Sequence, residues 1–267
     1  MYHIAMDYLQ LSLNFMEESK RARNLTELAT TFYNAIKKLG CTHFICLSHV
    51  NVFSPPEDAV ILSNYPMEWG LHHHAQGYHK SDPIMETCKS QITPFTWSNE
   101  RWRATLDLNK ANILNEASEF QLSEGHTIPI HTGDGYPASC SVVFQQGEVA
   151  PEALAVIHMM SIYLYETAIK MKVRENKKMK KDLSLRQKQC LEYIAQGKSD
   201  WAISKLLSIS EHTVQYHVKE ILRRYKVSSR NQAIIRGLFY GDITYMDILP
   251  QSSLPTKDST SLVHLTT

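Results

Sequence analysis

The 267-residue chain is 43% hydrophobic and 21% charged, the range of folded globular proteins, and long enough for two modest domains. No apolar run approaches the ~18 residues that a membrane span needs. The opening residues carry Glu17 and Glu18 and lack a basic start before an apolar stretch, so they do not read as a signal peptide.

The net charge of +1 conceals an asymmetry. Residues 170–245 hold 17 Lys and Arg against 7 Asp and Glu, which leaves 11 against 20 for the rest of the chain. A basic carboxy-terminal third on an acidic body is the footprint of polyanion binding, or else of a solvated linker rich in Lys177, Lys178, Lys180 and Lys181. The five cysteines, Cys41, Cys46, Cys88, Cys140 and Cys190, are scattered and form no C-x-x-C pair. They fit reduced thiols in a cytoplasm.

Asn24-Leu25-Thr26-Glu27 is a capping box, followed by apolar residues at helical spacing from Leu25 to Leu39 and a stop at Gly40. Residues 44–50 and 60–63 have strand character and flank the turn Ser54-Pro55-Pro56. Residues 128–130 and 140–144 predict two more strands, joined through a hairpin turn at Gly133-Asp134-Gly135. Pro151 opens a long apolar helix reaching Ile169. The expected fold class is α+β: an α/β/α sandwich with an antiparallel sheet over residues 1–170, a charged helix extension or linker over 171–182, an all-α domain over 183–244, and a Ser-, Thr- and Pro-rich disordered tail from 245.

Within the all-α domain, Ser184-Leu185-Arg186-Gln187 is a second capping box, whose helix should carry Leu185, Cys190, Leu191, Ile194 and Ala195 inward before stopping at Gly197. Ser199 caps another helix. Only Ser208 and Ile209 separate it from a third, capped by Ser210. Two short helices across so tight a turn read as a helix-turn-helix. On the third helix Val214, Val218, Ile221, Leu222 and Tyr225 form the stripe expected to be buried, while His212, Gln215, Tyr216, Lys219 and Arg223 form a polar stripe able to enter a major groove. Gln215 and Lys219 sit mid-stripe, where base edges are nearest; Thr213 and Arg223 lie towards its ends, nearer phosphate.

Residues 183–242 resemble the helix-turn-helix domain of LuxR-type regulators. The match rests on Leu183-Ser184-x-Arg186, Leu191, Gly197-Lys198, Ile203, Leu207, Ile209-Ser210-Glu211-x-Thr213-Val214-x-x-His217-Val218, Ile221 and Arg230-x-Gln232-Ala233. Gln187 and Ala202 stand where the family usually has Glu; Gln187 keeps the cap, whereas Ala202 loses a polar contact. The resemblance implies that His217 packs rather than binds metal, and that a last helix over residues 231–240 helps a homodimer form.

The first domain decides what is sensed. Nothing between Cys41 and Asn51 is acidic, which argues against a phosphoacceptor receiver. An aromatic and polar cluster does stand out: Tyr65-Pro66-x-x-Trp69, Tyr78-x-x-x-Asp82-Pro83 and Pro94-Phe95-x-Trp97-Ser98. Taken alone it is either an aromatic core with Asp82 as a helix cap or a ligand pocket. Its spacing is similar to the acyl-homoserine-lactone-binding domain of quorum-sensing LuxR-type receptors. That resemblance implies that the Trp69 indole donates to a lactone carbonyl and Asp82 accepts the ligand amide N–H. It implies that Tyr65 and Ser141 bond the acyl carbonyl, that Trp97 packs over the lactone ring, and that Ile84 also lines the pocket. Gly125, Pro129 and Gly135 match the family's turn pattern before Ser141. A donor-only indole paired with an acceptor-only carboxylate suits a neutral amide in a dry pocket.

His73 departs from the family, which usually has Tyr beside the acyl chain. It belongs to the run His72-His73-His74, whose neighbours point about 100° apart on a helix, a poor arrangement for binding a metal. Trp69 argues against the family branch that has replaced it to sense non-lactone plant compounds. The chain lacks a G-x-S-x-G elbow, an H-E-x-x-H pair and a P-loop, so the expectation is not an enzyme. The sequence reading is a cytoplasmic quorum-sensing regulator without cofactor, taking an autoinducer, double-stranded DNA, its own copy and RNA polymerase as partners. A transcription factor for another small molecule and a ligand-independent dimeric DNA-binding protein are the alternatives.

Overall fold

Runs of β-branched and aromatic residues form five strands: β1 (Cys41–Ser48), β2 (Ile61–Ser63), β3 (Phe95–Thr96), β4 (Gly125–Ile130) and β5 (Ala138–Phe144). They pair antiparallel in the order β2-β1-β5-β4-β3. This is a computed structural model that describes residues 2–131, 136–145, 149–177 and 183–248. The expected Gly133-Asp134-Gly135 turn lies outside the described residues. Contacts divide the chain into two units, with the boundary between Asn176 and Lys177.

Alternation along each strand gives the sheet two different faces. Phe44 and Cys46 of β1, Ile128 and Ile130 of β4, and Cys140, Val142 and Phe144 of β5 point into one core. Three helices complete it: α1 (Tyr2–Arg21), α2 (Leu25–Lys37) and α7 (Pro151–Lys177). Phe32 sits between Phe15 and Phe44, with ring centroids 5.6 and 5.0 Å away in edge-on geometry. The opposite face carries α3 (Met67–Ala75), α4 (Pro83–Ser90), α5 (Glu100–Arg103) and α6 (Leu108–Glu119), and a smaller core around Trp69, Phe95, Trp97, Ile113 and Val143. The result is the expected sandwich, with α1 and the α4 to α6 segment added. At the start of α2, Asn24 accepts the Glu27 amide as anticipated, but Glu27 reaches back to the amide of Arg23 rather than to that of Asn24.

The second unit packs α8 (Leu185–Ala195), α9 (Asp200–Leu207), α10 (Glu211–Tyr225), α11 (Arg230–Phe239) and α12 (Tyr245–Ile248) around Leu191, Ile203, Val214, Ile221 and Tyr225. Both halves of the Ser184–Gln187 box form. Two expectations are corrected. Leu185 is 74% exposed, and Leu183, just ahead of the cap, takes the buried place. Residues 245–248 are helical rather than tail: Thr244 donates its amide and hydroxyl to Asp247, and Gln196 donates to the Asp247 carbonyl. Helix α7 continues past Ile169 to Lys177, the first of the two alternatives for the charged stretch that follows it.

Between α9 and α10 the chain turns on Ser208, which adopts the left-handed conformation at φ 53° and ψ 46°. Ser210 then caps α10 by accepting the Thr213 amide at 3.0 Å. A side chain in the left-handed region carries strain that glycine avoids, whereas a lost serine cap orphans a helix amide. Ser208→Gly should therefore stabilise the second unit by about 1 kcal/mol, and Ser210→Ala should destabilise it by about 1 kcal/mol. Amide exchange of α9 and α10 in the full chain, followed against denaturant, reads both changes.

Candidate functional site

On the second face of the sheet lies a cavity of about 1050 Å³. Its floor is set by strand alternation: Ile45 and Leu47 of β1, Ser63 of β2, and Ser139 and Ser141 of β5 all present the side opposite the main core. Residues from α3, α4 and α6, and from the loops around them, line the rest of it. Tyr65, Trp69, His73, Asp82, Ile84, Trp97 and Ser141, singled out along 77 positions of sequence, all line this one cavity.

Trp97 donates its indole N–H to Thr127 Oγ1 at 2.8 Å, and Thr127 Oγ1 lies 2.8 Å from Ser141 Oγ. The ring rests against the bare backbone of Gly125, where a Cβ would approach its atoms to 2.5 Å. Gly125 therefore starts β4 and seats Trp97, and Pro129 lies inside the same strand; neither is a turn residue. Gly135 lies outside the described residues.

Trp69 is buried in the first turn of α3, 5.5 Å from the rings of both His73 and Phe120. No hydrogen bond engages its indole N–H among the described residues. The Tyr65 hydroxyl is buried without a partner among the described residues, and burial pushes its pKa well above the ordinary phenol value.

Asp82 does both things the sequence allowed. One carboxylate oxygen caps α4 through the amides of Ile84 at 2.8 Å and Met85 at 3.4 Å, and the other lies 2.9 Å from His73 Nε2. His73 is thus a partner of Asp82 rather than a wall residue alone. The other two histidines of the run go elsewhere. His72 meets Glu116 at 2.7 Å and His74 lies against Phe53, ring centroids 3.7 Å apart. Glu116 also accepts from Tyr78, and bonds from His72 and then Tyr78 hold its carboxyl below the usual value. Thr127, Ser139 and His49 were not anticipated. The two-residue spacing from Ser141 could have found Ser139, but His49 carried no motif.

In the second unit His212, Gln215, Tyr216, Lys219 and Arg223 are all exposed along α10, opposite the buried Val214, Val218, Ile221 and Tyr225. Glu220 holds the Arg223 guanidinium with two bonds of 3.1 and 2.8 Å. Thr213 is half-buried, its hydroxyl 2.8 Å from Ser210 Oγ. Arg230 forks onto Asp200 at 2.9 and 2.8 Å, tying the starts of α9 and α11 together. Asp200 thereby supplies a carboxylate in the turn of α9 where Ala202 has none. His217 is half-buried, with its Nδ1 enclosed.

Residues 24–168 match the family model for the autoinducer binding domain, and residues 181–236 that for bacterial regulatory proteins of the luxR family. The chain belongs to the LuxR family. It is an autoinducer-binding transcription regulator, not an enzyme. The transcriptional activator protein LuxR of Aliivibrio fischeri strain ES114 is 29% identical over 85% of this chain and 92% of its own. The transcriptional activator protein BjaR1 of Bradyrhizobium diazoefficiens is 25% identical over 86% and 95%. Escherichia coli SdiA shares the fold, with a TM-score of 0.70 at 20% identity over 88% of this chain and 99% of that one. SdiA in complex with octanoyl-rac-glycerol superposes at a TM-score of 0.69 and 18% identity, over 86% and 94%. Among the described residues of this LuxR-family regulator no helix is long and apolar enough to cross a membrane.

Gly125→Ala tests the seating of Trp97. The added methyl has no room unless the indole moves off Thr127, so the variant should lose about 1–3 kcal/mol of stability. The melting temperature of the purified protein should fall and its response to ligand weaken. Thr127→Ser, which keeps the hydroxyl, should leave both nearly intact.

Proposed function

We propose that the cavity binds an N-acyl-homoserine lactone and that the protein, as a homodimer, reads a palindromic promoter site and engages RNA polymerase there. The observation that carries the ligand reading is the chemistry gathered on one cavity: a donor-only indole in Trp69, an acceptor-only carboxylate in Asp82, and the hydroxyls of Tyr65 and Ser141. An acyl-lactone offers an amide N–H and two carbonyls, each of which must be satisfied in a dry site. In this reading Trp69 takes the lactone carbonyl, Asp82 the amide, and Tyr65 and Ser141 the acyl carbonyl, while Trp97 packs over the lactone ring and Ile84 and His73 flank the chain. The neutral acyl ester bound by SdiA supports a neutral acyl ligand in this fold. It also supports a second reading, a different acyl molecule, which the His73 contact on Asp82 favours because it competes for the amide's acceptor.

Trp69→Phe and Asp82→Asn should each shift the dose response about tenfold or more, the effect of 1–3 kcal/mol for an unpaired buried group, in a protein that stays folded. His73→Phe should act in the opposite sense on an amide ligand. Freeing one Asp82 oxygen lowers the melting temperature of the ligand-free protein and enlarges the rise that ligand produces. A panel of acyl-lactones in a thermal-shift measurement reads all three variants. If no lactone raises the melting temperature, the other small-molecule reading takes its place; DNA binding indifferent to every ligand would favour the constitutive dimer.

For DNA, half-sites about one helical turn apart suit a symmetric dimer. Gln215 and Lys219 are assigned to base edges, Thr213 and Arg223 to phosphate, and Tyr216 to the same DNA-facing stripe. Lys219→Ala or Gln215→Ala should cost about 1–3 kcal/mol and relax preference at particular positions. Arg223→Ala should weaken all sequences alike and lower the salt slope by about one per half-site. Footprinting at several salt concentrations separates the two; a uniform loss for Lys219→Ala, with sequence ranking intact, would show that the reading face is misassigned.

A further inference from the structure

A second polar pair lies on the cavity wall, apart from the residues assigned to lactone and amide. His49 directly follows β1, and its Nε2 is 2.9 Å from Ser139 Oγ. Both line the cavity. The other ring nitrogen, Nδ1, is buried and has no hydrogen-bond partner among the described residues. Ile45, Leu47 and Val50 beside it on the cavity wall are apolar, and Asn51, the polar residue of this stretch, turns its Oδ1 to the Phe53 amide instead. A buried polar atom without a partner is uncommon enough to need a reason.

Strand geometry places this pair. Ser139 and Ser141 are successive same-face residues of β5, so they stand about 7 Å apart. If Ser141 holds the acyl carbonyl, the His49–Ser139 pair meets the acyl chain several carbons further on. A plain alkyl chain there would leave the imidazole as unsatisfied as it already is.

Burial brings the His49 imidazole down to about 4, with a small opposing effect from Asp82 and small reinforcing ones from His131 and Lys89. Near neutral pH the ring is uncharged, with one donor and one acceptor nitrogen. The Ser139 hydroxyl can turn to suit either tautomer, so Nδ1 can accept from or donate to a neutral group. A hydroxyl matches both possibilities; a carboxylate matches an uncharged ring poorly.

Resting on the acyl-lactone reading above, we infer that His49, oriented by Ser139, is a specificity-determining contact for a ligand whose acyl chain bears a hydroxyl several carbons beyond its carbonyl. The test uses the full-length protein with N-octanoyl homoserine lactone and its chain-hydroxylated positional isomers, read by thermal shift and by reporter dose response. One isomer hydroxylated well beyond the carbonyl should bind about fivefold more tightly than the parent, the gain of one net hydrogen bond. His49→Leu should erase that preference, bringing every isomer level with or below the parent lactone measured on the same variant. Equal binding of the parent and every isomer overturns the inference and leaves the lactone reading standing, whereas failure of every lactone overturns both. Preference that survives His49→Leu also overturns it. Should His49→Leu not fold, the ranking of isomers by the wild-type protein decides alone.

Discussion

Strand β5 is buried at all seven of its positions, and its residues divide strictly by parity. Cys140, Val142 and Phe144 close the core under α2 and α7, while Ser139 and Ser141 face the cavity. A shift of one residue in its pairing would turn hydroxyls into the apolar core and bare the cavity of its polar groups. Register is held on both sides: β1 places Ile45 opposite Ser141, and β4 places Thr127 opposite the same residue. The sensing chemistry of the first unit thus depends on pairing that also builds the core. The buried bond between Ser48 and Tyr165, 3.0 Å long, adds a polar tie between β1 and α7 on the far side.

Asp82 shows how a structural residue and a binding residue can be one. Its carboxylate begins α4, so the cap fixes where the carboxylate stands before any ligand arrives. The contact from His73 uses the second oxygen. A carboxylate oxygen can accept more than one hydrogen bond, so capping and recognition are compatible; what His73 changes is the competition for one of those positions.

Much of the second unit was legible because its signals are local. Ser184, Ser199 and Ser210 each cap the helix that follows them, and the spacing of Val214, Val218 and Ile221 fixes the inner face of α10. Leu185 is apolar yet exposed, because the first position of α8 faces outward. Four strands of the first unit were legible from their apolar runs, whereas β3, two residues long, leaves no run to read. Helix α1 was not legible either: Leu9 and Leu13 are exposed while Ser12 and Ser19 are buried, so its polarity pattern runs against its packing. Of the cavity, the residues known by family spacing were found. Thr127 and His49 were missed because they meet the site through cross-strand neighbours and loop position, which a one-dimensional pattern does not contain.

The row Trp97, Thr127, Ser141 has a direction. An indole nitrogen can only give its hydrogen, so Thr127 Oγ1 must receive it. If Ser141 also gave its hydrogen to Thr127, the threonine's own hydrogen would be stranded in a buried place with no other partner shown for it. The favoured arrangement passes each hydrogen one step along: indole to threonine, threonine to serine. Ser141 is then left with its hydrogen to offer and one of its two lone pairs already engaged. The tryptophan, acting through two hydroxyls, favours that serine as a donor, and a group that presents a lone pair is the partner that suits it best.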